Sequence, residues 1–86
     1  MKKVMEFDKK ILDLETDFIF DFIKTRHDLG LTQKEMAEKS NVLRDKIAKI
    51  EAGLYSPNLT SLLKILGPHG YTLKIEKIDK KKKTTK

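Results

Sequence analysis

The apolar positions of this chain fall into segments with different periods, and the segments predict different elements. Between Thr16 and Gly30, Phe18, Ile19, Phe22, Ile23 and Arg26 recur at helical spacing, and Gly30 ends the run. Phe20 lies off that stripe and is expected to cover the segment before it. Thr32 with Glu35 three residues later is the signature of a capping box, so a short helix opens there with Met36 and Ala37 facing inward. Asn41, Val42 and Leu43 fall in a turn. A second short helix follows, opened by Asp45 at the positive end of its dipole and closed by Gly53. At 100° per residue, Ile47 and Ile50 share one side of it, and Arg44, Asp45, Ala48 and Lys49 share the other. Pro57 blocks continuation, Asn58 can cap the next helix, and Leu59, Leu62, Leu63 and Leu66 give that helix an apolar stripe. Gly67, Pro68, His69 and Gly70 stop it, with His69 read as a turn residue and His27 as solvent-facing.

The two ends read differently. Residues 1–15 alternate apolar and charged side chains, and from Met5 to Asp21 six acids face only Lys9 and Lys10. Two readings are open for this arm. It packs loosely on the domain as a fraying arm or half-helix, or it docks Val4, Met5, Phe7, Ile11 and Leu12 into a partner. Tyr71, Leu73 and Ile75 alternate with Thr72, Lys74 and Glu76, the period of a half-buried strand over 71–78. A lone strand leaves its backbone groups unpaired. It therefore pairs with a second copy, with a partner or with the N-terminal arm, and antiparallel pairing in a homodimer is the simplest solution. Residues 79–86 are a lysine run without periodicity, expected to be disordered, acting as a weak DNA attractant or only as a solubilising tail.

Composition narrows the classes. Eighty-six residues make one domain with a small core, read as an arm over 1–15, a helical domain over 16–70, a strand over 71–78 and a tail over 79–86. With no cysteine there is no disulfide framework, thiolate metal site or cysteine nucleophile. No apolar run reaches the length of a membrane span and no signal-peptide pattern precedes the domain, so a cytoplasmic location and no membrane partner are expected. The net charge of +6 is nearly all C-terminal: residues 1–30 hold six basic and seven acidic side chains, and residues 61–86 hold eight and two. Bulk charge is therefore no argument for nucleic acid here, and local geometry must carry it. No phosphate-binding glycine loop, nucleophile elbow or histidine pair at metal spacing is present, so neither an enzyme nor a cofactor is expected.

Two short helices at a tight turn, the second with a strip of long polar side chains outward, have the shape that fits a DNA major groove. The residues Thr32, Gln33, Met36, Ala37, Val42, Ile47, Ile50, Glu51 and Gly53, with Pro57 beyond them, resemble in fixed register the Cro/C1-type (Xre) helix-turn-helix family. The resemblance covers about Asp17 to Gly67 and implies a mainly α, lambda-repressor-like bundle, with the strand added at its end. It implies that Arg44, Asp45 and Lys49 face bases of double-stranded operator DNA, Arg44 towards guanine and Asp45 towards cytosine. For Asp45, helix capping or a local pair with Lys49 stands as the alternative. The resemblance further implies phosphate contacts from Gln33 and from the loop residues Tyr55, Ser56 and Asn58, and a buried pair between Arg26 and Glu51. Lys46 lies at the edge of the outward face, so a phosphate is its expected target. Two positions depart from the family pattern. Asn41 replaces the turn glycine, and Leu43 replaces the Ser or Thr that caps the second motif helix and touches a phosphate.

The stretch LLKILGPHGYTLKIEKI is similar to the HigA-like antitoxin branch of that family. That similarity implies a homodimeric antitoxin of a toxin-antitoxin module, which silences a small basic ribonuclease toxin (HigB-like) and represses its own operon. A stand-alone phage or host repressor is the alternative, and an adaptor that has kept the fold without DNA binding is a third reading.

Overall fold

A computed structural model describes residues 2–78, with side chains from Asp8 onward. Four helices follow in chain order: α1 (Lys2–Asp28), α2 (Gln33–Ser40), α3 (Arg44–Glu51) and α4 (Leu59–Leu66), with a 3₁₀ turn at Gly67–His69. The lysine-rich segment 79–86 lies outside the described residues.

Helix α1 does not begin at Thr16. It runs unbroken from Lys2, because no glycine or proline interrupts the chain before Gly30 and apolar positions continue at helical spacing through Leu14 and Ile11. At 1.5 Å per residue its 27 residues span about 40 Å. Phe20 therefore covers no folded-back arm, and it is 64% exposed on the face away from the core. The C-terminal half of α1 supplies the stripe that packs: Phe22 and Arg26 are buried, and the rings of Phe18 and Phe22 stack at 6.2 Å.

The core gathers Phe22, Met36, Ala37, Ile47, Ile50, Ile65 and Leu66 around the α2–α3 corner. On α4 the buried positions are Ile65 and Leu66 with Leu62 half-buried, while Leu59 and Leu63 stand exposed. Grouping the leucines by identity sets the stripe off by more than half a turn's quadrant. Ile65 and Leu66 lie on either side of Leu62 in helical projection, and Leu59 and Leu63 fall outside that arc. Ser40 is also buried: its hydroxyl donates to the Ile65 carbonyl at 3.1 Å and lies 3.4 Å from His69 Nε2, tying α2 to the turn after α4.

Among the described residues there is no β-strand, and Tyr71–Ile78 forms neither helix nor sheet. This corrects the strand expected there, and the reason is physical: a strand needs a hydrogen-bonded neighbour, and the single chain brings none alongside. Tyr71 is anchored through its N–H to the Leu66 carbonyl at 3.1 Å, and Leu73 packs on the core. Ile75 is wholly exposed and Ile78 half so.

Candidate nucleic-acid interface

The α2–α3 corner is fixed by local chemistry at each joint. Thr32 Oγ1 accepts from the Glu35 N–H at 3.0 Å and Glu35 Oε1 accepts from the Thr32 N–H at 2.8 Å, the reciprocal capping box that opens α2. Hydrogen bonding from Thr32, its backbone N–H first, holds the Glu35 carboxyl below the usual glutamate range. Asn41 takes left-handed angles (φ 59°, ψ 44°), the role that a turn glycine would otherwise fill, and the Val42 N–H then closes on the Ala37 carbonyl at 3.0 Å. Val42 packs on the core. Leu43, next in the chain, is the N-cap of α3, makes no side-chain cap bond and is 76% exposed.

Behind α3 an ion pair sets its angle. Arg26 Nε donates to Glu51 Oε2 at 2.7 Å, Arg26 Nη2 to Glu51 Oε1 at 3.0 Å, and Arg26 Nη1 to the Leu31 carbonyl at 2.9 Å. Both side chains are about nine-tenths buried. Burial pushes the Glu51 carboxyl up, but hydrogen bonds from Arg26 and Gln33 and the Arg26 charge outweigh it and hold the group below its ordinary value. The same hydrogen bonding raises Arg26 above its own. The bidentate pair joins the end of α1 to the end of α3 and leaves the opposite face of α3 to solvent.

On that face Arg44, Asp45 and Lys49 are all exposed. Lys49 Nζ lies 3.2 Å from Asp45 Oδ2, so the local pair weighed for Asp45 forms in the free chain. Lys46 is half-buried, with its ammonium 5.8 Å from the centroid of the Tyr55 ring, which brings the α3 edge and the following loop together. Tyr55 and Ser56 are exposed in that loop, which Gly53 opens with φ +76°. Two of the residues expected at phosphates have partners inside the chain. Gln33 Nε2 donates to Glu51 Oε1 at 3.0 Å, and Asn58 Oδ1 caps α4 by accepting from the Ser61 N–H at 2.8 Å. Gln33 thereby links the start of α2 to the buried pair, a role the spacing alone does not reveal.

A groove of about 300 Å³ runs beside this face, between α1, the end of α3, the 53–57 loop and α4. Ile11, Leu14, Phe18, Tyr55, Pro57 and Leu62 are among the residues lining it, together with Glu15. It takes in Ile11 of the expected docking set but not Leu12, which is 61% exposed elsewhere on α1. The side chains of Val4, Met5 and Phe7 lie outside the described residues. Reading the arm as separate from the domain concealed Leu14, Pro57 and Leu62, because the groove exists only once α1 is one helix.

The sequence profile described as helix-turn-helix matches residues 24–75, which span α2, the turn and α3. The chain belongs to the Cro/C1-type helix-turn-helix family. Two relatives are similar to part of the chain. A protein of Haemophilus influenzae (strain ATCC 51907 / DSM 11121 / KW20 / Rd), named an uncharacterized HTH-type transcriptional regulator, is 41% identical over 63 residues, 73% of this chain and 64% of its own length. A protein of Methanothermobacter thermautotrophicus (strain ATCC 29096 / DSM 1053 / JCM 10044 / NBRC 100330 / Delta H), with the same name, is 53% identical over 34 residues, 40% of this chain and 49% of its own. This helix-turn-helix chain thus spans about two thirds of the first relative and half of the second. No solved structure matches it. Among the described residues no helix is long and apolar enough to cross a membrane.

Proposed function

We propose that this chain is a DNA-binding transcription regulator, not an enzyme, and that it serves as the antitoxin of a type II toxin-antitoxin module that represses its own operon. The observation that carries the DNA-binding part is the exposed Arg44–Asp45–Lys49 face of α3, held outward by the buried Arg26–Glu51 pair. The names of the two relatives support regulation of transcription. Arg44, Asp45 and Lys49 read base edges. For this, Lys49 must exchange its contact with Asp45 for DNA, a small cost for an exposed pair. Lys46, Tyr55 and Ser56 contact phosphates. Gln33 and Asn58 contribute less than their positions imply, because one amide is shared with Glu51 and the other caps α4.

The antitoxin part is supported by the character of α1. From Asp8 to Asp21 it carries five acids against Lys9 and Lys10, beside an apolar groove that the chain leaves open. A small basic ribonuclease toxin would be steered by that charge and would lodge apolar side chains against Ile11 and its neighbours. The exposed Tyr71, Ile75 and Ile78 support a cytoplasmic homodimer in which 71–78 pairs with its copy, bringing two α3 helices to two half-sites.

The test is a gentle affinity purification from native cells, with co-purifying protein identified by mass and DNA binding measured on the upstream region. A stoichiometric small basic ribonuclease, released by Ile11→Lys, is the result expected. A clean homodimer that binds its own upstream DNA and carries no partner would replace the antitoxin reading with a stand-alone repressor.

A further inference from the structure

The exposed leucine at the start of α3 has no structural task. Its neighbour Val42 packs on the core, but Leu43 does not, and its side chain offers no cap to a helix that lacks one. An apolar side chain left in water at an N-cap forgoes the hydrogen bond that Ser, Thr, Asp or Asn would supply there. Residues at the N-terminal end of a recognition helix are those that reach base edges in the major groove, and Leu43 immediately precedes Arg44. A leucine can neither donate to a phosphate nor hydrogen-bond a base. The one apolar feature that the major groove presents is the C5-methyl group of thymine.

We infer that Leu43 is a specificity-determining residue that reads a thymine methyl next to the base read by Arg44. The inference rests on the DNA-binding reading above and is independent of the antitoxin reading. An apolar contact of this kind neutralises no phosphate, so this part of the discrimination is free of salt dependence.

The test begins with duplexes enriched by the wild-type protein from a randomised pool. Each thymine of an enriched site is then replaced by uracil, which removes only the methyl group. At one thymine per half-site, uracil is expected to weaken wild-type binding about fourfold, the worth of one buried methyl-sized group. The same replacement is expected to leave binding by Leu43→Ala unchanged, with circular dichroism confirming that this exposed-site variant is folded. Indifference of the wild type to uracil at every position would overturn the inference. So would a loss that persists undiminished in Leu43→Ala. A pool that yields no enriched sequence would instead overturn sequence-specific DNA binding itself, and this inference with it.

Discussion

Replacing Glu51 by leucine removes the anchor that orients α3, and its cost can be worked from the contacts. Arg26 is 9% exposed and makes three charge-assisted hydrogen bonds, two of them to Glu51. In Glu51→Leu the guanidinium keeps only the Leu31 carbonyl, so a cation stays buried without its counter-charge. Breaking a buried pair in this way costs about 3–5 kcal/mol. For a domain of this size that lowers Tm by about 12 °C or more. The double variant Arg26→Met/Glu51→Leu removes both charges and should regain most of the loss. It remains about 1 kcal/mol short of wild type, because the half-buried Gln33 amide still lacks its acceptor. The assay is urea unfolding followed by circular dichroism for wild type, both single variants and the double, which closes a double-mutant cycle. The same pair gives stability a pH dependence. Glu51 is held below its ordinary value when folded, so its contribution is fully present above the unfolded pKa and is lost as pH falls through the folded one, below about pH 4. A cost under about 1 kcal/mol for Glu51→Leu, the range of an exposed ion pair, would refute the account of how α3 is held.

Other outcomes follow from single sites. Thr32→Ala removes the capping box at α2 and should destabilise the fold by about 1 kcal/mol, read by thermal unfolding. Leu43→Ser supplies the cap α3 lacks and should stabilise by about 1 kcal/mol in the same assay, while adding sequence-independent DNA affinity. Asn41→Val, forcing a β-branched residue to φ 59°, should cost about 1–2 kcal/mol, whereas Asn41→Gly should be tolerated. Ile75→Lys should abolish the proposed homodimer in analytical ultracentrifugation and leave the monomer's thermal transition in place, since Ile75 touches nothing in the single chain.

What sequence makes legible is local chemistry, and what it hides is chemistry that depends on a neighbour. The Thr32–Glu35 box, the left-handed Asn41, the uncapped Leu43 and the α3 faces follow from one or two turns of chain, and each stands where its residue type predicts. The Arg26–Glu51 pair spans 25 residues, and it was the resemblance to a known family, not residue spacing, that brought the two together. Two expectations depend on a surface that the sequence does not show. Alternation at 71–78 predicts a strand and alternation before Thr16 an arm or half-helix, yet period is only a surface pattern until a partner surface realises it. In the first case the described residues of the single chain hold no second strand to pair with. In the second, the absence of any breaker lets helical backbone run on to Lys2, and the acidic segment is continuous with the first helix of the domain. That continuity matters for the proposed function. A helix continuous with the helix-turn-helix bundle places Ile11 and Leu14 on the same groove as Tyr55 and Ser56, so a partner seated there would touch the loop proposed to hold phosphates. Under the proposed function, partner binding and DNA binding would be coupled through shared residues, without any need for a long-range conformational change.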